Sequence, residues 1–495
     1  MKLTVVVPSE DYKSFAGARI RYDRIAASLG DRGIALSIEE IGRFNPDRTA
    51  SDAVLISKCH DARSLMVAAL LRDRGKLVGV DLFDDYFSQS EDSRLVRYRN
   101  WLADLVSFCD FALCSTKPMA DVVHHYRGDL PVLVMNDPAP PQGDAETSSL
   151  MVEKIRQARE TRTVRLAWFG VGDNTYFPIG LSDLATCAPA LNELGRGGFD
   201  INLTVLTNAR ALGADGLALI NRLPISTRIE EWSEGAERAL LTDALAVLLP
   251  VNAQPFSVSK SLNRAVTALS FGCQILSTGF PLYETLDDFI YRDAANLLSD
   301  LGEGTMRLSV DVIDAVRDLL EQLASPEVEA EALAEFLNRQ TRTAPKQPLP
   351  PTLIHGHSTR AEAHRTVQAL GGLSVASPFC AAPLDFDVLF RGDADGLRMF
   401  ISRRASTRLL PAARKRLKGQ INVRGEDYLE LPRLKGSGSS TSAMENRDGL
   451  PIAVQLAVYG KWMSEIEEHM EAAFGPSRIF RSETSSLFPD LGRAA

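Results

Sequence analysis

The stretch "ALAVLLPVNAQPFSVSKSLNRAVTALSFGCQILSTG" (residues 244–279) determines the fold class of this chain. Its first part, 244–251, is a continuous apolar run, which is typical of a strand buried on both faces of a parallel sheet. Residues 257–273 have the period of an amphipathic helix, and 273–279 are again apolar. A strand, a helix and a strand at this spacing predict a parallel βαβ unit.

The helix predicted over 257–273 carries cations at an unusual end. Lys260, Ser261, Asn263 and Arg264 lie in or near its first turn, away from the apolar stripe. The free N–H groups and the positive end of the helix dipole lie there too, so cations are unfavourable unless an anion such as phosphate binds. The pattern therefore indicates either a phosphate site or a solvated helix face with a serine cap.

The same alternation of strands and helices extends over most of the chain. In the first part, strands are predicted at 3–8, 53–58, 77–83, 111–116 and 131–137. In the second part they are predicted at 164–170, 201–207, 244–251 and 273–279, with a helix over 181–194 and charged helices over 309–340. We expect an α/β protein with two doubly wound, Rossmann-like domains, 1–140 and 150–340, separated by the Pro-rich break at 137–149.

Composition narrows the class of protein further. The chain has 495 residues, 45% hydrophobic and 24% charged, which is typical of soluble globular domains. Its net charge of −9 argues against nucleic acid as a general partner. The six cysteines form no CxxC pair, and no apolar run approaches the ~20 residues of a membrane span. The first strand is too short for a signal peptide, so a cytoplasmic protein is expected.

The segment "LLPVNAQPFSVSKSLNRAVTALSFGCQILSTGFPLYETL" (248–286), within two alternating domains, resembles a GT-B glycosyltransferase of the family-4 type. The resemblance covers roughly residues 1–340. It implies a transferase that moves a sugar from a nucleotide-sugar donor to a polysaccharide or glycolipid acceptor. The donor would bind the second domain and the acceptor the first. It further implies retention of the anomeric configuration, no metal and no cofactor.

One departure from the family leaves alternatives open. Members of this family usually carry two glutamates eight positions apart, and Ser259 and Thr267 stand at those positions here. A non-catalytic glycan-binding or scaffold protein on a degenerate glycosyltransferase fold is therefore the alternative, and a sugar-nucleotide epimerase is a third reading. A dehydrogenase is disfavoured because no strand is followed by the GxGxxG fingerprint.

In the first domain, candidate residues follow the predicted strands. The resemblance places Gly17 and Arg19 near the donor phosphates, although a βα turn with Arg19 and Arg21 as surface arginines at the start of the next helix explains them equally. Asp84, Asp85 and His60 are the catalytic candidates, orienting the acceptor hydroxyl or accepting its proton. A helix cap explains one aspartate as well, and a loop histidine is an ordinary surface feature. Two adjacent aspartates without a third ligand are a poor metal signature.

In the second domain, the candidate residues surround the predicted phosphate helix. Lys260, Ser261, Asn263 and Arg264 are assigned to the donor diphosphate. The residues assigned by the resemblance to the donor sugar and ribose are Gly170, Gly172, Thr267, Gly279, Tyr283 and Glu284.

The remaining residues, 352–495, resemble no family and are expected to form an additional α+β domain. Here "RGDADG" between two apolar runs predicts a hairpin. Residues 401–419 carry seven Lys or Arg and no acid. This basic stretch is either a solvated face or a contact for anionic glycan or lipid, which would place the protein peripherally on the inner face of the membrane.

Overall fold

The computed structural model describes residues 1–340, except 47, 61 and 141–143. Beyond them it describes 352–357, 379–383, 388–393, 396–406, 414–415, 417–423 and 426–430. Three sheets are found in this part of the chain.

The first sheet is entirely parallel, in the order β2-β1-β3-β4-β5-β6. Its strands are β1 Lys2–Val7, β2 Ala35–Glu40, β3 Ala53–Ser57, β4 Leu77–Leu82, β5 Phe111–Cys114 and β6 Val132–Val134. Its helices are α1 Ala16–Ala18, α2 Arg24–Asp31, α3 Ala62–Asp73, α4 Val96–Val106 and α5 Lys117–Tyr126, with a π-helical turn Arg19–Asp23 before α2. Both β3 and β4 are buried along their whole length because helices cover both faces of the sheet.

The second sheet is also parallel, in the order β11-β10-β7-β8-β9. Its strands are β7 Thr163–Phe169, β8 Asp200–Thr207, β9 Ser226–Glu231, β10 Ala246–Leu248 and β11 Gln274–Leu276. The helices are α6 Asp144–Thr161, α7 Leu181–Thr186, α8 Ala188–Arg196, α9 Ala214–Ile220, α10 Glu234–Asp243, α11 Pro255–Val258, α12 Asn263–Ser270, α13 Ala294–Glu303, α14 Ile313–Ala324 and α15 Pro326–Arg339.

The two sheets confirm the predicted pair of doubly wound, Rossmann-like units. In the first sheet the strand order reverses between β1 and β3, and in the second between β7 and β10. Each reversal leaves a crevice beyond the carboxyl ends of the strands, which is where ligands bind in open parallel sheets.

Three elements differ from the sequence expectations. The edge strand β2 was not predicted, because its alternating, half-exposed residues lack the apolar run of the central strands. Helix α6 begins at Asp144, inside the break expected at 137–149. The single helix expected over 181–194 is two, α7 and α8, since Pro189 begins a new helix after Cys187.

The last helix, α15, packs on the first sheet although it follows the second domain in sequence. Leu333 and Leu337 belong to the same buried cluster as Leu3 of β1. The ring of Phe336 lies 5.9 Å, centroid to centroid, from that of Phe111 in β5. The end of the 150–340 segment therefore completes the core of the first domain.

The third sheet has the order β12-β13-β14-β15-β17-β16. Its strands are β12 Thr352–His357, β13 Phe379–Pro383, β14 Val388–Asp393, β15 Gly396–Ser402, β16 Lys418–Val423 and β17 Glu426–Glu430. The antiparallel pair β14–β15 forms the predicted hairpin. Residues 407–413 and 416 of the basic stretch 401–419 lie outside the described residues, and its described part includes a short helix Arg403–Ser406.

Two further properties concern the described part of the chain. Its five cysteines outside the third sheet are buried and form no disulfide. A search of its helices finds none that combines the length and the apolar character needed to cross a bilayer.

Replacing Leu333 by Ala tests the role of α15. The side chain is 1% exposed, so we expect the first domain to lose about 2–5 kcal/mol of unfolding free energy. Chemical denaturation followed by tryptophan fluorescence measures this loss. Glu335→Ala on the exposed side of the same helix should change stability by less than about 0.5 kcal/mol. Equal effects of the two substitutions would contradict the packing described.

Candidate functional site

The chain between α11 and α12 lies at the crevice of the second sheet and is held by the first domain. The predicted helix over 257–273 is interrupted here, so α12 begins at Asn263 and not at Ser257. Lys260 and Ser261 therefore precede the helix, which corrects the expectation that they lie within it. We call residues 259–262 the bridging loop.

The interruption coincides with a contact from the first domain. The hydroxyl of Ser259 and its backbone N–H both donate to the carbonyl of Pro255, at 2.8 and 3.2 Å, so this helical hydrogen bond is shared. The carbonyl of Ser259 accepts from the hydroxyl of Thr116, in the first domain, at 2.9 Å. In a continuous helix this carbonyl would accept from the N–H of Asn263, so a side chain takes the place of one helical hydrogen bond.

Two lysines and one aspartate meet beside the bridging loop. Lys58 directly follows β3, and Asp84 follows β4, so both lie at the carboxyl edge of the first sheet. One carboxylate oxygen of Asp84 accepts from Lys58 and the other from Lys260. The Asp84 side chain therefore bridges the two domains, and we call these three residues the lysine cluster.

Aromatic rings cover one side of each ammonium group. The Lys58 nitrogen lies 4.2 Å from the ring centroid of Phe83, and the Lys260 nitrogen lies 4.1 Å from that of Phe256. Such contacts stabilise cations where water is partly excluded. The side of each ammonium group that faces Asp84 is therefore its polar side.

Burial disfavours the charged forms of both lysines. It lowers the pKa of Lys58 to about 7, against the opposing attraction of Asp81. Burial also lowers the pKa of Lys260 well below its ordinary value, and repulsion from Lys58 and Arg264 adds to this effect. Ion pairing with Asp84 opposes these shifts. Two lysines thus share one carboxylate, and the cluster has an excess of positive charge when both lysines are protonated.

Arg264, the second residue of α12, adds a further cation. Its side chain is partly buried, and within the described residues its guanidinium has no hydrogen bond or ion pair. It lies next to Gly170 at the end of β7, where an added Cβ would be 3.5 Å from the Nη1 atom. That distance is an ordinary contact, so it is the φ of 151° at Gly170, and not the approach of Arg264, that favours glycine there.

A buried charge network supports the bridging loop from the first domain. Arg21 makes two parallel hydrogen bonds of 2.8 Å to the carboxylate of Asp81 and a third of 2.8 Å to Asp137. Arg21 and Asp81 are each 1% exposed. The free oxygen of Asp137 accepts from the hydroxyl of Ser261 at 2.5 Å. The core of the first sheet is thereby connected to the loop that carries Lys260.

Sequence reasoning missed this network, although one signal was present. Asp81 is a carboxylate in the middle of the apolar run of β4, and a buried carboxylate requires a partner. The partner, Arg21, was read as a surface residue at the start of a helix. The π-helical turn at 19–23 carries Arg21 into the core and leaves Arg19 nearer the surface.

The other two catalytic candidates, Asp85 and His60, make contacts that belong to the local fold. The carboxylate of Asp85 accepts from the backbone N–H groups of Phe87 and Ser88 at 3.0 and 2.9 Å, so it caps the turn after β4. The His60 ring packs edge-on against aromatic rings, with a centroid distance of 4.7 Å to Trp101. Of the three, Asp84 is the one whose side chain binds Lys58 and Lys260 in the described part of the chain, whereas His60 donates its backbone N–H to the carbonyl of Lys58 at 3.1 Å.

The two candidates after β1 contact neighbouring elements. A Cβ at Gly17 would lie 2.5 Å from the hydroxyl of Tyr12, so this glycine is required for packing. Arg19 pairs with Glu234 of the second domain at 2.9 Å and stacks over Trp232 at 5.3 Å. Arg19 therefore links the domains across the same crevice.

The residues predicted to contact the donor sugar and ribose differ in how far they are exposed. Gly172 is packed against Thr207, and Gly279, with φ 87°, lies against the carbonyl of Val251. The side chains of Thr267 and Tyr283 are buried, at 3% and 1% exposure.

Of the remaining candidates, Asn263 and Glu284 differ in their surroundings. Thr267 donates to Asn263 at 3.5 Å, whereas Glu284 is exposed in the 3-10 turn Glu284–Leu286. Tyr283 is a core residue in the structure, and its contact with the donor stays a prediction.

Aromatic side chains close the crevice on one side of the lysine cluster. Phe177 and Phe256 of the second domain stack at 4.4 Å and belong to the buried core of the first domain. Tyr86 contacts Phe256 at 5.2 Å and accepts a hydrogen bond from Asn174 at 3.3 Å. The two domains are therefore joined by an apolar contact as well as by charges.

Metal-ligating side chains do not gather near this site. Within the described residues, no three His, Cys, Asp or Glu side chains are placed together as a metal ion requires.

Comparison with known proteins shows only remote structural likeness. No family model matches the chain, and no curated protein does. Among solved structures, it is similar to Anabaena HepE in complex with UDP-glucose (11% identity, TM-score 0.46), with 68% of this chain and 99% of that chain covered. It is also similar to an E. coli trehalose-6-phosphate protein bound with UDP-2-fluoro glucose (10%, TM-score 0.45; 69% and 100% covered) and to sucrose-phosphate synthase from Thermosynechococcus elongatus (10%, TM-score 0.47; 68% and 98% covered). Likeness this weak assigns no activity.

Replacing Arg21 by Met tests the buried network. Asp81 would remain buried without its partner, so we expect a loss of about 3–5 kcal/mol in unfolding free energy. Urea denaturation measures the loss. Arg43→Met is the matched control, because its side chain is 75% exposed and should cost less than about 0.5 kcal/mol. A loss below about 1 kcal/mol for Arg21→Met would show that the network contributes little.

Proposed function

We propose that this chain is a glycosyltransferase that transfers a sugar from a nucleotide-sugar donor to a polysaccharide or glycolipid acceptor. The observation that carries the proposal is the gathering of Lys58, Lys260 and Arg264 at the facing crevices of two doubly wound sheets. Lys58 and Lys260 share the carboxylate of Asp84. Arg264 makes no hydrogen bond or ion pair within the described chain, although its charge acts on Asp183.

A nucleoside diphosphate fits this charge. Its phosphates carry the negative charge that the cluster lacks, and lysine and arginine bind phosphate as a point charge and as a two-pronged donor, respectively. The N-terminus of α12, at Asn263, adds free N–H groups and the positive end of the helix dipole. Ser261 is already committed to Asp137, so it positions the loop instead of donating to phosphate.

In the proposed reaction these cations act on the leaving group. Negative charge builds up on the diphosphate as the bond to the sugar breaks, and fixed cations stabilise that charge more in the transition state than before it. Asp84 is the nearest candidate for the acceptor hydroxyl, since Asp85 and His60 are engaged in a turn and an aromatic cluster. Retention of configuration, independence of metal, and contact with the membrane through residues 401–419 remain predictions from the sequence.

The alternative is a non-catalytic glycan-binding protein on the same fold. It is favoured by Ser259 and Thr267, which stand where the family carries glutamates and are 3% exposed. Neither side chain is placed to replace a carboxylate. The two proposals differ in one respect that can be measured, the release of nucleoside diphosphate during transfer to an acceptor.

Nucleotide binding tests the assignment of the cations. We expect UDP or GDP to bind the full chain in isothermal titration calorimetry, and Lys260→Met to weaken binding by about tenfold or more, since a charge-assisted contact is lost. Arg264→Met should have a similar effect. Arg228→Met removes an equal charge from an exposed position on β9 and should leave binding unchanged.

Two outcomes would contradict the proposal. If neither nucleotide binds, the site is not a donor site. If a nucleotide binds the parent and both variants equally, it binds elsewhere. Nucleotide binding without diphosphate release from any UDP- or GDP-sugar, in the presence of glycan acceptors, would favour the non-catalytic alternative.

Nucleotide affinity should also depend on pH. The pKa of Lys58 is about 7 in the free protein, with Asp84, Asp81, Arg21 and Lys260 as the charged groups around it. A bound phosphate favours the ammonium form, so the pKa rises in the complex and protons are taken up. Affinity should therefore fall from about pH 7 to about pH 9, by at most about tenfold per pH unit for one coupled proton.

Calorimetry in buffers of different ionisation enthalpy measures the proton uptake. Lys58→Arg keeps the charge over the whole range and should flatten the profile. An unchanged profile in this variant would exclude Lys58 as the titrating group.

A further inference from the structure

Asp84 is bound in the position that a phosphate would take. Both of its carboxylate oxygens are used, one by Lys58 and the other by Lys260. The opposite sides of the two ammonium groups are covered by Phe83 and Phe256. An anion that approaches these lysines therefore meets the carboxylate of Asp84.

The turn after β4 does not need the Asp84 side chain. Asp85 holds this turn through the N–H groups of Phe87 and Ser88, while the backbone carbonyl of Asp84 accepts from Tyr86 at 3.2 Å. The Asp84 carboxylate makes its hydrogen bonds to the two lysines alone among the described residues. Its contribution is thus to the cluster and to the link between the domains.

We propose that Asp84 is an internal competitor for the donor diphosphate, and that binding requires its carboxylate to be displaced from Lys58 and Lys260. This inference rests on the proposed function, because it assigns regulation to the same site. Displacement breaks the Asp84–Lys260 contact, so binding the donor also removes one of the links between the two domains. Weakly charged anions cannot displace the carboxylate, and the site thereby selects for polyphosphate over monovalent anions.

Removing the charge of Asp84 tests the inference. The probes are inorganic pyrophosphate, which carries the diphosphate charge without a nucleobase, and UDP and GDP. We expect Asp84→Asn to bind pyrophosphate about tenfold or more tightly than the parent at about pH 6, where Lys58 is charged. Asp84→Ser should behave in the same way and serves if the amide variant does not fold, which thermal denaturation would show.

The matched control is Asp173→Asn. Asp173 lies in the loop after β7 and pairs with Arg210, so the substitution changes the net charge equally without touching the lysines. It should leave pyrophosphate binding unchanged. A similar gain in the control would mean that overall charge, and not competition at the cluster, governs affinity.

The outcomes separate the inference from the proposed function. If the parent binds UDP or GDP through Lys260, and both Asp84 variants bind pyrophosphate no more tightly than the parent, the competitor role is wrong and the proposed function stands. If neither the parent nor any Asp84 variant binds a nucleotide or pyrophosphate, both are wrong. A gain in pyrophosphate affinity in the Asp84 variants that Lys260→Met abolishes would support the competitor role.

Discussion

The attachment of the bridging loop to the first domain is the constraint on which the site depends. Thr116 binds the carbonyl of Ser259, Asp84 binds Lys260, and Asp137 binds Ser261. The first of these contacts occupies a carbonyl that a continuous helix would use, and α12 begins where the loop ends. Carboxylates of the first domain consequently hold the bridging loop, and with it Lys260, in position. The arrangement of these side chains therefore requires contacts from both domains.

The pair of doubly wound domains could be predicted because their central strands and helices have a recognisable pattern of apolar residues. The central strands are apolar runs buried on both faces, and these were recognised together with the helices between them. The edge strand β2 and the destination of α15 were not, since neither partial exposure nor long-range packing leaves a periodic signal. Sequence shows that α15 is amphipathic, but not which sheet covers its apolar face.

The site was predictable in part, and the division has a physical basis. Lys260, Arg264 and Asp84 were identified from residue type and from their position after strands or near a helix start. Their mutual contacts, and the roles of Lys58, Arg21 and Asp137, depend on how two domains meet. A π-helical turn also shifts side-chain direction without altering the apolar pattern, so Arg21 was placed on the surface.

The position of α15 has a consequence for biosynthesis. Its apolar residues cover a face formed by the strands of the first domain, yet they are made about 190 residues after Met135, the last first-domain residue of that cluster. At roughly 5–20 residues per second, that face waits about 10–40 s for its cover. During this interval the nascent chain exposes an unfinished core. The first domain to be synthesised is thus completed only after the second.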